Sequence, residues 1–418
     1  MMGELSSLSR GGFNAPGYFD LPPQLADAYG LNATLWLDFT RNLGWRNGQL
    51  GTAAQHISCS RSTSKMEFDG SGNWLEFAAN EPAITGLGLS AHRQATNLVA
   101  HSVDVSRWNI NGDAAVASGV VAPDGSATAY NISSVGRSGS VGVFTRPTQE
   151  PNKTYTLSFY IRPDVEDVNG YWRLGFEYEI YGGGHSGLVR FNPTTKEWLE
   201  IQEGVGAYGW EPAHNGYLRV WVTATTDDVD TTNAAVIFYA SRDIASDFWG
   251  FQLEEGIAST PYVPTNGSPV TRAADVVTLK NPELLPSEGT WFIEFDSGPG
   301  WGNGSRRTVL MAILSNGGNA QIAYDANNGK LWSRGENHGI ATQTPVPNSL
   351  VKLAYRKDGS DITVFVNGSK YTFTDDFEMD IRQLRIGHNN GAQLDSHIRK
   401  LVFFPTISDG ELERITAS

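Results

Sequence analysis

The sequence predicts an all-β protein: two β-sandwich (jelly-roll) domains in tandem, after an extended N-terminal arm and a small β segment. Three observations carry this. Gly accounts for 46 of 418 residues, beside 12 Trp, 15 Tyr and 19 Phe, a composition of many tight turns and many strand-forming aromatics. Short apolar runs recur at sandwich spacing with turn residues between them. No long stretch of helical periodicity interrupts the runs. A chain of this length exceeds one ordinary core.

In chain order, residues 1–36 are rich in Gly and Pro (Gly11, Gly12, Pro16, Gly17, Pro22, Pro23) with scattered Phe13, Tyr18 and Phe19. Such a segment cannot close a core of its own and is expected to be an arm that orders on a partner. Residues 37–96 read as a small β segment, with a hairpin expected in MEFDGSGNWLEFAA around Gly70. Residues 97–275 hold six strand-like runs, TYTLSFYIRP, YWRLGFEYEIY, LVRFNP, YLRVWVTATT, AAVIFYAS and WGFQLEEG, and read as one jelly roll. The cluster Pro261, Pro264, Asn266, Gly267 and Pro269 reads as a linker. Residues 276–418 form the second sandwich. In it, Asp358-Gly359 and Asn367-Gly368 are two-residue hairpin signals, and SDGELERITAS is a short helix capped by Ser408 or Asp409.

Charge and cysteine usage narrow the function. A formal net charge of −14 leaves no footprint for a phosphate backbone or an anionic membrane, so neither nucleic acid binding nor membrane insertion is expected. Cys59 is the single cysteine, which excludes an intrachain disulfide and a cysteine metal cluster. The start of the sequence has no secretory pattern and no apolar run reaches a membrane span, so synthesis in the bacterial cytoplasm is expected.

Three strings are distinctive together: CSRSTSKMEFDGSGNWLEFAANEPAI with GLGLSAHRQATNLVAHSVDVSRW, then VAPDGSATAY, then FWGFQLEEGIASTPYVPTNGSPVTRAAD. In this order the chain resembles phage and prophage virion proteins of the tail-fibre and head-spike type, whose jelly roll is like a carbohydrate-binding module. Residues 276–418, with WFIEFD, YRKDGSDITVFVNGSKY, LRIGHNNGAQLDSHIRKLVFFP and SDGELERI, resemble the concanavalin A-like (laminin-G-type) lectin/glucanase sandwich, a family too broad to give a function by itself. The resemblance implies a structural protein on the particle surface, on head or tail. Its arm would meet other virion proteins, its partner would be host surface polysaccharide, and it would be a homo-oligomer, a trimer as fibres commonly are. It also implies a structural calcium, for which Asp113, Asp124, Glu254 and Glu255 supply oxygen; no other cofactor is expected.

Strand alternation sorts the side chains by face. It sets Tyr160 and Arg162, then Tyr171, Arg173, Glu177 and Tyr181, then Arg219 and Trp221 opposite the apolar faces of their three strands. If these strands share a sheet, they make an aromatic, charged surface suited to sugar: rings pack on C–H faces, and charged groups take hydroxyls. The alternative is ordinary cross-strand pairing on a solvated face, or burial against a sister subunit. Catalytic readings are thinner. Glu294 and Asp296 share a face as paired glucanase carboxylates do, but Gly298 and Pro299 stand where a further acid belongs. No His pair has zinc spacing. The chain therefore reads as a non-enzymatic adhesin, with a purely structural adaptor or decoration role as the alternative and a capsule depolymerase behind it.

Overall fold

The computed structural model describes residues 33–417, apart from 47, 71–72, 138, 140, 165–166, 178–185, 227–233, 242, 299–306, 326–329, 336–338, 342–348 and 390–391. The expected arm therefore lies almost wholly outside the described residues, as does Tyr181. The described chain is all-β, with a single α-helix, Asp409–Thr416, among the described residues. None of its helices is long and apolar enough to cross a membrane.

The chain divides into two units: Met1–Ser60 with Pro82–Ala91 and Asp275–Ser418, and Arg61–Glu81 with His92–Ala274. The segment 37–96 is thus shared out between the units and forms no unit of its own. Ile57–Ser60 adds to Val276–Leu279, and Gly88–Ala91 adds to Ser396–Phe404. The hairpin Lys65–Phe68/Trp74–Phe77 instead belongs to the second unit. Periodicity identifies a strand but does not say which sheet it joins.

The first unit is a sandwich. Its ten-stranded sheet centres on Ser396–Phe404, Gly289–Asp296 and Leu350–Asp358, and its seven-stranded sheet on Arg307–Leu314 and Ile381–Ile386. The core between them takes Leu35, Leu37, Trp291, Ile293, Phe295 and Leu353 from one sheet and Val309, Leu314, Leu384 and Ile386 from the other. The alternate residues Trp36, Phe292, Phe365 and Val402 are also buried, against Leu412 and Ile415 of the helix. A sheet apolar on both faces needs a cover on each, and the helix supplies the second one. Ser408 caps it by accepting from Glu411 N, while Glu411 accepts from Ser408 N at 2.9 Å. Hairpins form at both expected places, the first with its loop one residue further on, at Gly359-Ser360, because Asp358 pairs with Asp361, and the second at Asn367-Gly368. Asn367 and Gly368, at φ 47° and 79°, take the left-handed conformations a two-residue loop requires.

His388 lies buried in this unit, 3.1 Å by Nε2 from Val277 O. Burial, helped by Arg385, pushes its imidazole down from 6.5 to about 4. The unfolded chain then holds one more proton than the fold between these values, so stability falls as pH drops through that window. The loss is about 3 kcal/mol by the bottom of it. Chemical denaturation of His388→Gln against the parent should show a shallower decline between about pH 6.5 and 4.

The second unit is a jelly roll of two six-stranded sheets. The first runs Asn109–Asn111, Val141–Thr145, Ala235–Ala240, Trp172–Glu177, Ser186–Asn192, Glu197–Ile201. The second runs Ala115–Val120, Ala129–Ser133, Ala245–Glu255, Thr154–Pro163, Leu218–Thr225, Val205–Pro212. The predicted inward residues meet between them: Tyr155, Leu157, Phe159 and Ile161; Trp172, Leu174 and Phe176; Leu218, Val220 and Val222. Strict alternation fails within Ala245–Glu255. Phe248 and Phe251 both face this core although three residues apart. The register slips opposite Ser158 to Tyr160, and Gly250 sits at φ 64° with Tyr160 Cδ2 only 3.0 Å from where its Cβ would stand. This glycine bulge turns Trp249, Gln252 and Glu254 outward together. Gly250→Ala should cost about 1–3 kcal/mol of unfolding free energy in a denaturant titration.

Candidate functional site

Of the eight residues expected to share one face, the structure separates the seven that are described, Tyr181 lying outside the described residues. Tyr160 and Arg162 (Thr154–Pro163) neighbour Arg219 and Trp221 (Leu218–Thr225) in the second sheet, with Tyr160 opposite Arg219. Tyr171, Arg173 and Glu177 belong to the first sheet, on or beside Trp172–Glu177. Alternation gave the correct side of each strand; the sandwich then put the third strand in the opposite layer.

The outer face of the second sheet is covered. Tyr160 is 4% exposed and Trp221 5%. Trp74 of the hairpin and Tyr262 lie over Tyr160 and Trp249, with ring centroids 5.5 Å apart for Trp74–Trp249 and 4.7 Å for Trp249–Tyr262. Arg162 is committed to Asp247 through two bonds of 3.0 and 2.7 Å and to Asn215 O at 3.0 Å, above the Tyr217 ring. Arg219 donates to Thr260 O. These four residues hold the unit together.

The Pro-rich segment read as a linker is likewise part of the fold. Glu254, fully buried, accepts from Thr260 N at 2.7 Å, Thr260 Oγ1 at 2.9 Å and Gln252 Nε2 at 2.8 Å, and pairs with Arg93 at 3.4 Å. Gln252 Oε1 accepts from Val263 N at 2.7 Å. Asn97 donates to Phe251 O and Val263 O, and the Ser102 and Tyr262 hydroxyls lie 2.7 Å apart. Residues 258–265 are thus strapped to the sheet through buried polar groups, each of which is satisfied, as burial demands.

Beside this strap opens a cleft of about 840 Å³, within the range of small-ligand sites. Its floor is Trp249 and Tyr262; its walls carry Asp104, Asp124, Ser126, Thr128, Tyr130 and Asn266. The polar groups are pre-set. Trp249 Nε1 donates to Thr128 Oγ1 at 2.9 Å, and the Thr128 and Ser126 hydroxyls lie 2.6 Å apart. Ser126 N and Oγ both bond Asp124 Oδ1. Tyr130 OH donates to Asp104 Oδ1 at 2.8 Å. The Ser106 hydroxyl, then that of Tyr130, hold the Asp104 carboxyl below its usual range. Burial, then the bond to Asp104, raises Tyr130 and keeps it a donor at neutral pH. Sequence reasoning did not find this cleft. Its signal was present: the distinctive strings HSVDVSRW, VAPDGSATAY and WGFQLEEG…TPYVPTN each contribute to its lining, through Asp104, through Asp124 and Tyr130, and through Trp249, Tyr262 and Asn266.

The remaining sequence candidates fall elsewhere. In the first sheet, Arg173 pairs with Glu177 at 4.0 Å, Arg190 with Glu200 at 2.7 Å, and Arg190 lies over Tyr171. Of the four oxygen donors considered for calcium, Glu254 is used by the strap, Glu255 pairs with Lys153 at 2.8 Å and Asp124 caps its own turn. Among the described residues no three His, Cys, Asp or Glu side chains gather at one point. Glu294 and Asp296 share a face as expected, and they contact Lys400 at 3.1 Å and Arg399 at 2.9 Å. A second feature went unread: Trp198 and Tyr208 meet edge to face at 5.1 Å where Glu197–Ile201 and Val205–Pro212 end their sheets.

No family model matches the sequence, and no curated protein matches it. Among solved structures, the chain is similar to domain 4 of AbnA, a GH43 extracellular arabinanase from Geobacillus stearothermophilus, solved with arabinotriose. The likeness spans 38% of this chain and 82% of that one, at 11% identity and a TM-score of 0.29. A resemblance that slight carries no functional argument.

Proposed function

We propose that the protein is a non-catalytic glycan-binding component of a phage-type particle surface, and that its second unit holds saccharide in the cleft over Trp249 and Tyr262. One observation carries the binding reading: an open cleft of about 840 Å³ lined by oriented hydroxyl, carboxylate and amide groups. Saccharides present hydroxyls at fixed spacing, and pre-set polar groups bind them without first paying to become ordered. The virion setting rests on the sequence strings alone. Host surface polysaccharide is the partner this reading names. Several copies per particle, as in a trimer, would turn weak single-site binding into firm adhesion. Screening the full chain on a glycan array, then titrating the best ligand into parent and Tyr130→Phe/Asn266→Ala protein, tests it. Retained affinity in the double variant would remove the cleft from the account.

A second reading has its own observation. Leu199, Ile201 and Tyr208 are exposed on the edge strands of the two sheets, each by more than two fifths. Edge strands with apolar side chains invite pairing, which favours an adaptor contact with another copy or another particle protein. Sedimentation of the full chain beside Leu199→Lys/Ile201→Lys protein distinguishes them: an oligomer that dissociates in the variant places the contact there.

A further inference from the structure

We infer that the cleft selects uncharged or amino-bearing saccharides and rejects acidic ones. This rests on the glycan reading above and narrows it. The walls contribute two carboxylates, Asp104 and Asp124, and among the described residues the lining includes no Lys, Arg or His. Asp104 is held ionised by the Ser106 and Tyr130 hydroxyls. Its other oxygen has Arg107 at 3.4 Å, but that side chain is two-thirds exposed and stands outside the lining. Asp124 spends Oδ1 on the Ser126 turn; among the described residues its Oδ2 has no hydrogen-bond partner and remains free to accept. A uronate or sialate in this cleft would set its carboxylate beside two others that face solvent, and like charges so placed repel, by an amount that salt screens. The formal charge of −14 adds a long-range repulsion of polyanions, weakened by salt. A sugar hydroxyl donates readily to either carboxylate, and an ammonium does so with the added attraction of charge.

The test is direct titration of the full chain with three soluble probes of similar length: chitosan oligomers, their N-acetylated counterparts, and oligogalacturonate. The expected order is chitosan tightest, by ~10-fold over the acetylated form at low salt, with oligogalacturonate weakest. Asp124→Asn should lower the chitosan-to-acetylated ratio by several-fold, Asp104 keeping the remainder. Asp376→Asn, an exposed charge in the other unit, should leave the ratio unchanged and so separates local from net charge. Oligogalacturonate binding as tightly as the others, or a ratio indifferent to Asp124→Asn, overturns the selectivity and leaves glycan binding standing. Failure of all three probes together with a blank glycan array overturns the glycan reading itself, and this inference with it.

Discussion

Glu254→Ala is expected to cost the second unit about 3–5 kcal/mol, the range for removing one member of a buried, hydrogen-bonded charge pair. The carboxylate is fully buried and serves Thr260 N, Thr260 Oγ1, Gln252 Nε2 and Arg93. Alanine strips Thr260 N and Thr260 Oγ1 of their acceptor, while Gln252 Nε2 keeps Thr260 O and Arg93 keeps Ala258 O, and a buried donor left unmade costs more than a bond gains. The strap 258–265 would lose its hold, and with it go Tyr262 and the floor of the cleft. Glu254→Gln keeps the shape and one accepting oxygen, so its loss should be roughly half as large. Denaturant unfolding followed by tryptophan fluorescence reads both. An alanine variant within about 1 kcal/mol of the parent would mean the strap is held by Pro261, Tyr262 and Val263 packing alone.

Tyr130→Phe with Asn266→Ala is expected to weaken the best saccharide ligand by ~30- to 100-fold while leaving the unfolding midpoint nearly in place. Each lost hydrogen bond to a sugar hydroxyl contributes about 1 kcal/mol, and more where Asp104 polarises the Tyr130 hydroxyl. The two residues stand on separate elements: Tyr130 on the strand Ala129–Ser133, Asn266 past the strap. Their effects should therefore nearly add. Both are at least partly exposed, which is why stability should hardly change. Isothermal titration paired with thermal unfolding separates the two quantities. A large fall in stability with no fall in affinity would identify the pair as structural.

Much of the fold was legible because it follows from local rules. The inward faces of TYTLSFYIRP, YWRLGF and YLRVWV followed from period two, the Asn367-Gly368 hairpin from the two left-handed conformations it needs, and the helix from Ser408 and Glu411. The site was less legible because it depends on relations between distant segments. Alternation put Tyr160 and Arg173 each on the correct side of its strand, yet no local rule says that those strands lie in different layers. Tyr160 looks like an exposed sugar platform until Trp74, far earlier in the chain, is known to fold over it. Pro261, Pro264 and Pro269 signal a turn-rich segment correctly. Whether such a segment links domains or straps one depends on whether Gln252 and Glu254 point at it, and that is decided by one glycine bulge at Gly250.

The most direct measurement is a crystal structure of the full chain grown with the tightest saccharide from the glycan array. Ordered sugar rings are expected in the cleft, over Trp249 and Tyr262, with hydroxyls bonded to Asp104, Tyr130 and Asn266. Sugar ordered instead on the Tyr171–Arg173–Glu177 face, or only on the first unit with the cleft holding water, would contradict this expectation.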